Sequence, residues 1–102
     1  MIRHIVMWKL RGPSAEERRS QAEQVKAALL GMMGQIRGMT HVEVGIGSAG
    51  AEAGEQDADV VLASSHDSWQ ALAEYQQHPA HEPVKKLIFA LRVERRVVDF
   101  EG

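Results

Sequence analysis

Apolar and polar residues alternate through the first ten positions of the chain. Ile2, His4, Val6, Trp8 and Leu10 fall on one side of an extended backbone, and Arg3, Ile5, Met7 and Lys9 on the other. This pattern predicts a strand over Ile2–Leu10, broken by Arg11-Gly12-Pro13. The period then changes. Ser14 and Glu17 have the spacing of a capping box, and Glu16 and Glu17 suit the positive end of a helix dipole. Ala22, Val25, Leu29, Met32 and Ile36 recur at steps of three and four, one apolar stripe of an amphipathic helix. Gly31 and Gly34 weaken its last turns and Gly38 ends the segment. Met32 and Met33 read as flexible core filler.

Alternation returns over Met39–Ile46. The glycine-rich stretch Ser48–Gln56 has no period and reads as a hairpin loop, expected to be mobile and dispensable to the fold. Ala58–Ser65 predicts a third strand, with Val60 and Leu62 opposite Val61 and Ala63. Asp67 or Ser68 then caps a helix carrying Trp69, Leu72, Ala73 and Tyr75. His78-Pro79 stops that helix, because the residue before a proline is pushed out of the helical region. Pro83 opens another apolar stripe at Val84, Leu87, Ile88 and Leu91, and Arg92–Phe100 predicts the last strand.

The order β-α-β-β-α-β is the split unit of ferredoxin-like α+β folds with a four-stranded antiparallel sheet. Helices in this arrangement cover only one face of the sheet, yet the strands are apolar on both. An apolar sheet face left in water promotes association. The economical solution is a homodimer in which two sheets pack together as an α/β barrel.

Composition narrows the function classes. The 102 residues suffice for one domain, 1–102, and the formal net charge of −2 with 25% charged residues argues against nucleic acid, whose binding needs clustered Lys and Arg. The absence of cysteine excludes disulfides, thiolate metal sites and a cysteine nucleophile. No run approaches the ~20 apolar residues of a membrane span, and no leader pattern opens the chain, so the expected location is cytoplasmic.

The chain resembles the stress-responsive A/B barrel (Dabb) family. The resemblance rests on the opening Ile2-Arg3-His4-Ile5-Val6-Met7-Trp8-Lys9-Leu10, on Ala73-Glu74-Tyr75-Gln76-Gln77-His78-Pro79-Ala80-His81, and on the closing Val97-Val98-Asp99-Phe100. It implies a ferredoxin-like subunit in a dimeric barrel and says little about chemistry. In a plant member that closes polyketide chains by an aldol reaction, the catalytic tyrosine and histidine match Tyr75 and His81, and a pocket histidine matches His4. Two further polar residues of that site do not carry over, since Val60 and Leu29 stand at their positions here.

A Tyr–His pair suits enolate chemistry: histidine titrates near neutral pH, and a tyrosine hydroxyl stabilises a developing oxyanion. The structural reading of the same residues is that Tyr75 and His81 hydrogen-bond across the bend, and that His4 is a satisfied core histidine. The expected walls of a cleft between helices and sheet are Val6, Trp8, Leu62, Val84 and Val97, with Arg95 as a fork-shaped anion contact unless it lies in solvent on a frayed strand start. Lys85 and Lys86 read as a solvated helix face, and His41 and His66 as a strand-face and a strand-end residue. His78 and His81 are three apart, but no third ligand joins them, so no metal is called for. No cofactor is called for either; haem would need His81 or His78 as axial ligand. Two functions remain: a homodimeric barrel holding a small apolar or anionic ligand, and a cofactor-independent enzyme acting on an oxo acid or polyketide-like substrate through Tyr75, His81 and His4.

Overall fold

The computed structural model describes residues 1–47 and 56–102. In chain order the elements are β1 (Ile2–Leu10), α1 (Ala15–Leu30), β2 (Met39–Ile46), β3 (Val60–His66), α2 (Trp69–Gln77), a single 3-10 turn (Pro79–His81), α3 (Glu82–Leu91) and β4 (Arg92–Glu101). The strands form one antiparallel sheet in the order β2-β3-β1-β4. This is the ferredoxin-like α+β subunit.

The helices lie on the face that carries Ile2, His4, Val6, Trp8 and Leu10, all buried. Cross-strand register puts Ser64, Leu62 and Val60 of β3 opposite His4, Val6 and Trp8, and Asp99, Val97 and Arg95 of β4 opposite the same three residues. Each pair shares a face of the sheet. Ala22, Val25, Leu29, Leu72, Tyr75, Val84 and Ile88 close the core from the helix side.

Local chemistry sets the element ends. Ser14 Oγ accepts from the Glu17 amide at 3.1 Å and starts α1; Ser68, rather than Asp67, caps α2 through the Ala71 amide at 3.0 Å. The α1 stripe is buried to Ile36, but the helix stops at Leu30, and Met32 and Ile36 reach the core from the turns that follow. Gly34 and Gly38 there have φ of +80° and +83°, which only glycine adopts freely. Met33, next to buried Met32 but off the stripe, points outward, 54% exposed, and is not core filler. On α2, Trp69 and Ala73 face solvent and Ala71 is buried in their place.

The third strand begins two residues later than the alternation predicts because Asp59 is used as a tie. Its amide donates to the Trp8 carbonyl at 2.9 Å and its carboxylate accepts from the Leu10 amide at 2.7 Å. The strand runs on to His66, paired with Ile2, and β4 runs one residue past Phe100 through the pair Ile2 and Glu101. The loop expected over Ser48–Gln56 lies outside the described residues except for Gln56. Among the described residues no helix is long and apolar enough to cross a membrane.

Candidate functional site

Among the described residues β4 is an edge strand, and no helix packs extensively against it. Its helix-side residue Val97 therefore stays half exposed. The space between β4 and α3 is a cleft of about 770 Å³. Its floor is apolar, formed by Val6, Trp8, Leu62 and Val97, with Ile88 and Phe89 on the helix side. Val84, expected on the wall, packs inside the core instead, because the α3 stripe turns it under the helix. Arg95 does line the cleft: β4 is paired to β1 from Arg92 onward, so the strand start is not frayed and Arg95 is held opposite Trp8, while the residue itself stays exposed to solvent.

Tyr75, His81 and His4 all line this cleft, and the proline bend is what returns His81 to it. His78 ends α2 with an extended backbone, and its Nδ1 accepts from the Ala80 amide at 3.0 Å. The 3-10 turn that follows carries His81 back over the Tyr75 ring. The two rings stack with centroids 4.5 Å apart and planes at 25°, and Tyr75 Oη lies 3.4 Å from His81 Nε2. That distance is long for a hydrogen bond, worth at most about 1 kcal/mol net. Burying a ring that is only 1% exposed contributes more, of order 2–3 kcal/mol. Packing therefore positions Tyr75, and its hydroxyl remains available.

Behind Tyr75 lies a polar layer. His4 Nδ1 meets Asp99 Oδ1 at 2.5 Å. His66 is fully buried, and its Nε2 meets Ser64 Oγ at 2.9 Å. The rings of His4 and His66 lie 5.8 Å and 5.0 Å from that of Tyr75. Neither His66 nor the role of Asp99 is apparent from residue type. Both were accessible to period-two counting, since His66 continues Val60, Leu62 and Ser64, and Asp99 continues Arg95 and Val97. Among the described residues no group of three or more His, Asp or Glu side chains is arranged to hold a metal ion.

Burial sets the protonation states. It pushes the Tyr75 hydroxyl up to about 12, opposed by the charge of Arg95, so the phenol stays protonated. Burial, helped by Lys85, pushes His81 down to about 4, opposed by backbone contact with Gln76, so its ring is neutral at pH 7. Burial and then His4 lower His66 as well. His81 Nδ1 is enclosed without a hydrogen bond of good geometry.

The rim of the cleft is cationic, with Lys85 and Lys86 on α3 and Arg92 and Arg95 on β4. Lys85 pairs loosely with Glu82 at 3.7 Å, and Arg92 lies 5.1 Å above the Phe89 ring. Arg95 and Lys86 make no ion pair among the described residues. Among the described residues the one carboxylate on the wall, Asp99, is engaged by His4. The two lysines thus belong to the cleft mouth, although spacing alone reads them as a solvated helix face.

The family model for the stress responsive A/B barrel domain matches residues 2–102. No curated protein matches the chain. Among solved structures, a dimeric ferredoxin-like protein of unknown function from Bacteroides fragilis is 26% identical, with a TM-score of 0.83 over 99% of this chain and 95% of that one. A dimeric ferredoxin-like protein of unknown function from Thermobifida fusca is also 26% identical, with a TM-score of 0.79 over 99% and 90%. The hydroxynitrile lyase from Passiflora edulis shares the fold at 17% identity, with a TM-score of 0.76 over 97% and 90%.

Proposed function

The chain belongs to the stress-responsive A/B barrel family, and we propose that it forms a homodimeric barrel in which the cleft of each subunit binds a small molecule with an apolar body and an anionic end. The observation that carries this reading is the cleft itself, about 770 Å³ with an apolar floor and a rim of four cations. That volume is in the range of small-molecule sites, and a few placed polar groups above an apolar floor are what such sites use to orient a ligand. Arg95 offers a planar fork suited to a carboxylate. The Tyr75 hydroxyl, held protonated, donates to a carbonyl or carboxylate oxygen deeper in.

Trp8, on the floor, is a built-in reporter once the exposed Trp69 is replaced by Phe. Benzoylpropionate, an aryl ketone with a carboxylate, should quench Trp8 fluorescence saturably. Its uncharged amide should bind about tenfold more weakly, the worth of one charge-assisted contact. Equal affinity of acid and amide would remove the anionic end from the proposal, and no saturable quenching by either would remove the ligand.

A second reading is favoured by one observation. A protonated tyrosine and a neutral histidine share the cleft, which is the pairing that a cofactor-independent cyclase or lyase needs for an oxo acid or polyketide-like substrate. The Passiflora edulis lyase is an enzyme on this fold, but at 17% identity it transfers no chemistry to this chain.

A further inference from the structure

Three histidines surround Tyr75, and their surroundings give them different capacities. His66 is sealed from the cleft and committed to Ser64, so it cannot reach a ligand. His81 reaches the cleft, but its enclosure and the neighbouring Lys85 charge oppose proton uptake. His4 is the remaining one. It lines the cleft, and its Nδ1 is in short contact with the Asp99 carboxylate, fixed opposite it in the β1–β4 register. A carboxylate only accepts hydrogen bonds, so Nδ1 carries a proton, and in the neutral ring the lone pair is on Nε2. Nε2 makes no hydrogen bond among the described residues.

We propose that His4, oriented by Asp99, is the proton acceptor of this cleft, and that it removes a proton from the carbon next to a carbonyl in an oxo acid bound there. Asp99 is the positioning residue; His81 stacks on Tyr75 and keeps it in place. The inference rests on the ligand-binding reading above and, within the enzymatic reading, assigns the base to His4 in place of His81. The step is a proton transfer. The C–H bond next to the carbonyl breaks, and its hydrogen passes to His4 Nε2. The electron pair moves onto the carbonyl oxygen, giving an enolate that accepts a hydrogen bond from Tyr75 Oη. Reversal returns a proton to carbon, so in heavy water the substrate exchanges that hydrogen for deuterium with no other reactant. Asp99 stabilises the imidazolium formed on the way without itself taking the proton. Arg95, opposite Trp8 on the same sheet face, takes the carboxylate.

Benzoylpropionate in heavy water near neutral pH, followed by proton NMR, tests this directly. The wild-type protein should exchange the methylene next to the ketone well above the buffer rate. Asp99→Asn should slow exchange by roughly a hundredfold, because the amide can donate to Nδ1 and drive the proton to Nε2. His4→Gln should slow it at least as much, with Trp8-detected affinity for the probe within about twofold of wild type in both variants. A merely structural Asp99 would not move the nitrogen-15 spectrum of His4: the proposal expects Nδ1 protonated and Nε2 bare in the wild type, and the reverse or a mixture in Asp99→Asn. The wild-type spectrum decides even if the variant fails to fold. Binding without exchange, exchange unaffected by Asp99→Asn, or a doubly protonated His4 in the resting protein would overturn the proposal. Absence of binding would instead sink the ligand reading on which it rests.

Discussion

At the scale of single residues, environment rather than residue type assigns the roles. His81 is the clearest case. Burial favours its neutral ring, so between pH 6.5 and about 4 the unfolded chain binds a proton that the folded chain refuses. The contribution is fully present above pH 6.5 and is lost as pH falls through that window. Allowing for the partial exposure of the ring, it is of order 2 kcal/mol. His66, lowered for the same reason, adds in the same direction. Urea denaturation from pH 4 to 7 should therefore show stability rising with pH, and His81→Gln should flatten the rise; an unchanged slope would contradict the assigned environment. Tyr75→Phe keeps the buried ring and loses a hydroxyl whose contact is long, so it should cost under about 1 kcal/mol in the same assay while weakening the probe. Residue types and their spacing point to Tyr75, His81 and His4. Residue type alone did not reveal that His66 joins them; the signal was its place two residues beyond Ser64 on the face of Val60 and Leu62.

At the scale of elements, periodicity was legible and terminations were less so. The stripe from Ala22 to Ile36 is apolar at helical spacing throughout, yet its last members belong to turns, since two glycines with positive φ redirect the chain. Gly38 is the more constrained of the two. A Cβ there would lie 2.9 Å from that of Ala71 on α2, in addition to the strain of φ +83°. Gly38→Ala should cost about 1–3 kcal/mol in urea denaturation, and a loss near zero would mean that α2 does not rest on this turn. Asp59 explains the other misplaced boundary. It holds the end of β1 by two hydrogen bonds and approaches Arg18 of α1 at 3.6 Å, so the residue that alternation assigns to a strand works as a clasp between strand and helix. Asp59→Ala would leave the Leu10 amide without its acceptor and should cost about 1–3 kcal/mol. His78 acts similarly at the α2 end, where its side chain caps the turn that positions His81.

At the scale of the whole molecule, the sheet has a covered face that makes the cleft and an open face that the monomer leaves unused. On the open face Ile5 and Met7 of β1 lie beside Val61 and Ala63 of β3, and Val98 and Phe100 of β4 remain 55% and 42% exposed. A second copy seated on this face completes the barrel proposed above. Sedimentation at micromolar concentration should return twice the 11.3 kDa chain mass, and Val98→Lys should shift it toward the monomer. The two-faced apolar pattern made this readable from sequence. The walls Val6, Trp8, Leu62, Arg95 and Val97 were readable by alternation, but the openness of the cleft was not, because it depends on β4 being an edge strand. The central claim is that this uncovered edge forms a binding site for an apolar anion. A crystal structure grown with benzoylpropionate tests it most directly. The account predicts the aryl group on Val6, Trp8, Leu62 and Val97, the carboxylate on Arg95 and the ketone within hydrogen-bond reach of Tyr75. Density for the probe elsewhere, or an empty cleft at saturating concentration, would contradict it.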